Sequence, residues 1–172
     1  MLPIITNRLD LVQASPAMIR AELGSHDALA ALLDAAMPED WPPEFFERDD
    51  LERALVRSEA MDFDPAWGMR YFLWREPRRL VGVGGFFAPP HNGMVMLGYT
   101  VAKPFRGRGL ATEATLGMVA FAFAHGDVDR IAAETLPELA ASIRVLGKAG
   151  FSLDGPAQTH PGAIRFERSK GS

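Results

Sequence analysis

The chain has 172 residues, 48% hydrophobic and 23% charged, a balance typical of a single globular domain with a substantial core over residues 1–172. Its net charge of −4 argues against a general nucleic-acid binder, and the absence of cysteine excludes disulfides, thiolate metal sites and a cysteine nucleophile. No apolar run has the length of a membrane span and the N-terminus does not resemble a signal peptide, so we expect a cytoplasmic protein that binds no membrane, nucleic acid or metal.

The first third of the chain predicts one strand followed by helices and a proline-rich loop. Residues 8–14 form the strand, and Pro16 opens a segment to residue 35 whose apolar spacing predicts one or two amphipathic helices. Three prolines break residues 36–44 into a loop, and residues 45–61 form the next helix.

The remainder predicts a hairpin, a strand–helix–strand unit, and then a helix with two terminal strands. In chain order these are strands at 69–74, 80–87 and 94–101, a helix at 108–125, a strand at 130–136, a helix at 138–148 closed by Gly150, and strands at 151–153 and 163–168. A strand–helix–strand connection joins parallel strands, so 94–101 and 130–136 should run parallel. The predicted fold class is therefore α/β, with a mostly antiparallel mixed sheet that contains one parallel pair and is flanked by helices.

Residues 98–111 carry the strongest functional signal in the sequence. A strand meets a short basic turn with Gly107 and Gly109, and a helix follows. Unpaired N–H groups at a helix N-terminus attract anions, glycine permits close backbone approach, and Arg106 and Arg108 would add charged donors. The turn is therefore either a phosphate site at the carboxyl end of a parallel strand or an ordinary strand-to-helix turn.

The glycine spacing excludes the commoner phosphate loops. The turn contains no Gly-Lys-Ser/Thr sequence, and Thr112 stands where a dinucleotide-binding turn has its third glycine. A nucleotide- or dinucleotide-binding domain is therefore disfavoured.

Two sequence blocks give the chain a family resemblance. Arg106, Gly109 and Ala111 match the signature Gln/Arg-x-x-Gly-x-Gly/Ala, and residues 134–151 match a second block after the next strand. With the opening segment 6–11, these blocks resemble the GCN5-related N-acetyltransferases, in the branch that includes the ribosomal-protein alanine acetyltransferases. The resemblance covers essentially the whole chain and is weakest over residues 15–70.

The resemblance implies acetyl-coenzyme A as cofactor and an amine as acceptor. Its pyrophosphate would lie on the N–H groups of the turn, and its pantetheine arm would pair with the preceding strand where the parallel strands splay apart. The cofactor-binding residues that the resemblance implies are Tyr99, Thr100, Val101, Arg106, Gly107, Arg108, Gly109, Leu110, Ala111 and Ser142.

The resemblance also implies catalytic residues, with two departures from the branch. Ser142 matches a serine that donates to the leaving thiol, although a serine near a helix start is commonly a cap. The branch often carries a base at the position of Met96 and an asparagine at the position of Leu139. Glu134 is then the first candidate for the base, or simply a solvated carboxylate.

The remaining signals leave alternatives open. Residues 41–46 form an aromatic, proline-rich loop that either walls the acceptor cleft or packs onto the sheet, and His91 and His160 are loop histidines that are usually solvated. We expect an N-acetyltransferase acting on a small-molecule amine or a protein N-terminus, as a monomer or homodimer. The alternative is a non-catalytic acyl-coenzyme A binder or sensor, which the residues Met96 and Leu139 favour.

Overall fold

The computed structural model describes residues 3–171, which form an eight-stranded sheet and five α-helices. The strands are Ile4–Ile5 (β1), Leu9–Gln13 (β2), Met69–Trp74 (β3), Arg79–Phe86 (β4), Met94–Val101 (β5), Arg130–Thr135 (β6), Ser152–Pro156 (β7) and Ile164–Ser169 (β8). The helices are Pro16–Gly24 (α1), His26–Leu33 (α2), Arg48–Ser58 (α3), Leu110–Ala124 (α4) and Ala140–Lys148 (α5).

The sheet has the order β1-β2-β3-β4-β5-β6-β8-β7, and its neighbours are antiparallel except for the parallel pair β5 and β6. This confirms the predicted fold class. The parallel pairing runs from Met94 opposite Arg130 to Met96 opposite Ala132 and stops there. Because β5 continues to Val101, its second half diverges from β6 and leaves a gap between the two strands.

Both faces of the sheet are buried, each in its own apolar cluster. Phe72, Leu97 and Leu110 belong to the cluster with α4 and α5, whereas Tyr71 and Leu73 belong to the cluster with α1 to α3. Successive side chains of a strand point to opposite faces, so both faces of β3 are buried, and its side chains are apolar except for the buried Arg70. Full burial of one large apolar side chain contributes about 1.5–3 kcal/mol, so these clusters hold the sheet between its two helical layers.

Three predicted helices begin later than the sequence indicates: the helix predicted at 138–148 starts at Ala140, and the other two start after a residue with a left-handed φ. The predicted helix at 45–61 starts at Arg48, because Phe45 adopts a left-handed φ of 63° and Glu47 with Asp50 forms a capping box. The predicted helix at 108–125 starts at Leu110, because Gly109 is its N-cap with a left-handed φ of 76°. Each of these prediction errors shortens the helix at the loop that precedes it.

The end of α5 confirms the predicted glycine stop. Gly150 has a φ of 81°, and the N–H of Phe151 donates to the carbonyl of Leu146 at 3.0 Å. The two-residue strand β1 was missed, since two residues are too few to show alternation. Among the helices formed by residues 3–171, none has the length and apolar character needed to cross a membrane.

Candidate functional site

The gap beside β5 is the first element of the candidate site. On one edge β5 pairs with β4, from Leu97 opposite Phe86 to Val101 opposite Gly82. On the other edge its pairing with β6 ends at Met96, so the backbone groups of the next residues on that edge face the gap. An extended ligand with amide groups can add to such an edge as a further strand.

The turn between β5 and α4 is the second element, and it has the properties of an anion site. Gly107 and Gly109 have φ of 74° and 76°, which L side chains rarely adopt. Within the described part of the chain, the N–H groups of residues 107–112 donate no hydrogen bond, and the first intrahelical bond of this region runs from Glu113 to Gly109. These donors lie at the positive end of α4 and next to the gap.

Hydrogen bonds from the N-terminal segment hold the turn and the start of α4 in place. Glu113 in the first turn of α4 accepts hydrogen bonds from the Thr6 hydroxyl at 2.6 Å, the Arg8 N–H at 2.6 Å and the Arg8 Nε at 2.7 Å. Burial alone would raise the pKa of Glu113, but these hydrogen bonds hold it below its ordinary value. The Arg8 Nη1 also donates to the carbonyl of Arg108 at 3.0 Å, which ties the turn itself to the N-terminal segment.

Both arginine side chains of the turn contact protein groups. The Nε of Arg106 donates to the carbonyl of Val101, and its Nη1 pairs with the Glu44 carboxylate, both at 2.9 Å. The guanidinium of Arg108 lies 5.7 Å from the centre of the Trp74 ring. Sequence reasoning identified these arginines but missed Glu44, which also pairs with Lys103 at 2.9 Å.

On the face of the sheet that carries α4 and α5, a pair of hydroxyl groups lies against the gap. The Tyr99 hydroxyl lies 3.3 Å from both the Oγ and the carbonyl oxygen of Ser142. Ser142 is not a cap, since the N-cap of α5 is Leu139 and no side chain caps that helix. Burial raises the pKa of Tyr99 to about 12, so its hydroxyl keeps its proton at neutral pH and can donate.

Glu134 lies on the opposite face. It follows Ala132 by two residues on β6, and Ala132 pairs with Met96, so all three side chains share one face. Its carboxylate accepts from the N–H of Gln158 at 3.0 Å and from the Thr159 hydroxyl, and only 5% of its side chain is exposed.

The loop between β7 and β8 keeps the Glu134 carboxylate charged. Burial alone would raise the pKa of Glu134, but the hydrogen bonds from Thr159, Gln158 and His160 together hold it below its ordinary value. The Nδ1 of His160 lies 3.4 Å from the carboxylate, whereas the other loop histidine, His91, contacts Asn92. The structure thus brings His160, but not His91, next to a predicted site residue.

The aromatic loop at 41–46 is anchored on the α1 side of the sheet. Trp41 Nε1 and the Tyr71 hydroxyl donate to the two carboxylate oxygens of Glu22, at 2.6 and 2.5 Å. Trp41 and Phe46 lie in the second apolar cluster, whereas Phe45 is 66% exposed. The loop therefore packs onto the sheet, as one of the two alternatives expected, and presents one aromatic ring outward.

Comparison with known proteins identifies the family of this fold. A model of the acetyltransferase (GNAT) domain matches residues 20–152. The chain is similar to the uncharacterized N-acetyltransferase YjdG of Bacillus subtilis (strain 168), at 29% identity over 153 residues that cover 87% of this chain and 89% of the relative.

Solved structures show the same fold at lower identity. The ribosomal-protein-S5-alanine acetyltransferase from Vibrio fischeri superposes with a TM-score of 0.70 at 14% identity, covering 99% of this chain and 98% of that one. The ribosomal L7/L12 alpha-N-protein acetyltransferase RimL in complex with coenzyme A superposes with a TM-score of 0.68 at 19% identity, covering 98% and 97%.

Proposed function

The chain belongs to the GNAT family of acetyltransferases, and from this premise we propose that it transfers an acetyl group from acetyl-coenzyme A to an amine of a small molecule or a protein N-terminus. One observation carries the proposal more than any other. The unpaired N–H groups of residues 107–112, which favour an anion, follow a strand whose edge toward β6 is open beyond Met96. A ligand with a diphosphate at one end and amides along its arm matches both features.

The residues present fit coenzyme A at each part of this site. The backbone from Arg106 to Ala111 would hold the pyrophosphate, and the edge of β5 at Tyr99, Thr100 and Val101 would pair with the pantetheine arm. Gly107 and Gly109 carry no Cβ atom, and nothing lies within 3.5 Å of where a Cβ would stand on either of them. The ligand can therefore approach the backbone closely.

Bound acetyl-coenzyme A would supply an activated acetyl group and a thiolate leaving group. Residues Tyr99 and Ser142 lie on one face of the gap, where their hydroxyl groups can donate hydrogen bonds to the sulphur as charge develops there. Glu134 lies on the other face, where its charged carboxylate can accept the proton of the attacking amine through water. The hydrogen-bond donors to the leaving sulphur and the acceptor of the amine proton thus lie on opposite faces of the sheet.

Binding of the cofactor tests the proposal directly. Acetyl-coenzyme A at a hundredfold excess over its dissociation constant should stabilise the fold by about 2.7 kcal/mol, measured as a shift of the thermal unfolding transition. A nicotinamide dinucleotide serves as control and should give no shift. The opposite pattern, with a shift for the dinucleotide alone, would contradict the proposal.

The second candidate function is a non-catalytic acyl-coenzyme A binder. Met96 on β5 and Leu139 at the start of α5 favour it, because neither side chain can accept a proton or hydrogen-bond a ligand amide. Thiol release from acetyl-coenzyme A across a panel of amines separates the two functions. An acetyltransferase releases thiol with at least one amine, whereas a binder releases none while its thermal shift persists.

A further inference from the structure

Glu44 forms ion pairs with two of the cations at the turn, Lys103 and Arg106. The Oε1 of Glu44 lies 2.9 Å from Lys103 Nζ, and its Oε2 lies 2.9 Å from Arg106 Nη1. Hydrogen bonds from Lys103 and Arg106 lower the pKa of Glu44, so the group is ionised at neutral pH. The single charge of Glu44 therefore offsets one of the two positive charges that precede the N–H groups of residues 107–112.

The same residue ties its loop to the edge of the gap. The Thr100 hydroxyl donates to the backbone carbonyl of Glu44 at 2.9 Å, and Thr100 is the penultimate residue of β5. Glu44 thus bridges the loop at 41–46 to both the strand and the turn of the candidate cofactor site.

Another anion can readily displace the Glu44 carboxylate from Lys103 and Arg106. The side chains of Glu44, Lys103 and Arg106 are each between 42% and 62% exposed, and exposed ion pairs hold their partners weakly. A diphosphate has more charge and more acceptor oxygens than one carboxylate, so it binds the same two cations more strongly. The Nε of Arg106 donates to the carbonyl of Val101, a bond that does not involve Glu44, so exchange of the anion need not move this guanidinium away from the turn.

We propose that Glu44 is an internal counter-ion that competes with the phosphates of the cofactor for Lys103 and Arg106, and that cofactor binding releases this end of the loop at 41–46. The proposal rests on the proposed function for the identity of the cofactor. The competition itself requires only a phosphate-bearing ligand at the turn. Glu44 therefore sets the affinity of the site and couples its occupancy to a segment that leads into α3.

The test compares Glu44→Gln with Glu39→Gln by titration calorimetry. Glu39 is an exposed carboxylate five residues before Glu44 in the segment between α2 and α3, so its variant removes the same charge from a residue that does not pair with Lys103 or Arg106. The ligands are coenzyme A, inorganic pyrophosphate and pantetheine, which carries no phosphate. Glu44→Gln should lower the dissociation constants of coenzyme A and pyrophosphate about threefold to tenfold, the effect of one charge a few ångströms away in a water-exposed site.

Three further readouts make the outcome decisive. Glu39→Gln should behave as the unaltered protein, and pantetheine affinity should not change in either variant. The salt dependence of coenzyme A binding should steepen in Glu44→Gln, because no internal ion pair is broken when Lys103 and Arg106 meet phosphate. Unchanged or weaker binding of both phosphate ligands by Glu44→Gln overturns the proposal. If pyrophosphate binds and responds to Glu44→Gln but coenzyme A does not bind, the proposed function fails while the counter-ion role stands.

Discussion

Removing the hydroxyl groups of Ser142 and Tyr99 is the sharpest test of how the leaving thiolate is stabilised. A hydrogen bond to a charged group contributes about 1.5–3 kcal/mol, so Ser142→Ala should lower kcat about tenfold to a hundredfold. The pKa of Tyr99, at about 12, lies well above the ordinary value of a thiol near 8.5, so the phenol donates a hydrogen bond without giving up its proton. Tyr99→Phe should therefore cost a similar factor and no more.

The two hydroxyl groups lie 3.3 Å apart, so they should act as one unit. In a thiol-release assay the double variant should lose much less than the product of the two single losses, and KM for acetyl-coenzyme A should change little. Ser152→Ala, an exposed serine on β7, is the matched control and should keep full turnover. Full turnover in both Ser142→Ala and Tyr99→Phe would refute a hydroxyl donor to the thiolate at this place.

The remaining predictions concern the turn, the proton acceptor and a buried carboxylate. Gly109→Val should abolish coenzyme A binding in calorimetry, because valine disfavours the φ of 76° that residue 109 adopts. Gly126→Val, at a glycine without a left-handed φ, is the control and should bind normally. Equal binding by both variants would show that the phosphates do not lie on this turn. Glu134→Gln should lower the rate of acetyl transfer and remove the acidic limb of the pH–rate profile, which in the unaltered protein should lie below the ordinary pKa of a glutamate. An unchanged pH–rate profile would assign the base to another group. Burial raises the pKa of Glu22, so the folded chain holds that proton more tightly than the unfolded chain, and the free energy of unfolding should fall as pH rises from about 4.5 through the raised pKa. Urea unfolding of Glu22→Gln at several pH values should lack this fall. The same fall in the variant would contradict the assignment to Glu22.

Local sequence was enough to predict most of the sheet and the turn. Strands 69–74 and 94–101 have the predicted limits, because alternation or continuous apolar character is bounded at both ends by turn residues. The parallel pair followed from chain order alone, since the crossover helix leaves no other arrangement. The glycines and arginines of the turn are neighbours in sequence, so their spacing could be interpreted without a structure.

The partners of these residues could not be predicted in the same way. Glu44 and Arg106 are 62 positions apart, Arg8 and Glu113 are 105 apart, and His160 and Glu134 are 26 apart. Each contact joins a loop or chain segment to a distant element, where no periodic pattern marks the meeting point. The placement of Tyr99 and Glu134 on opposite faces of the gap needed the register of β5 against β6, which the sequence does not specify.

The two anchors of the loop at 41–46 differ in strength, and that difference decides how the loop responds to a ligand. At one end, Trp41 and Tyr71 donate to the carboxyl group of Glu22, which is only 5% exposed, so water competes little for these two hydrogen bonds. At the other end, Glu44 is held by exposed ion pairs, which water and salt weaken. A phosphate at the turn therefore releases the Glu44 end first while Trp41 stays in place. On the counter-ion proposal, we expect the exposed ring of Phe45, one residue beyond Glu44, to change position relative to the edge of β5 when the cofactor site is occupied.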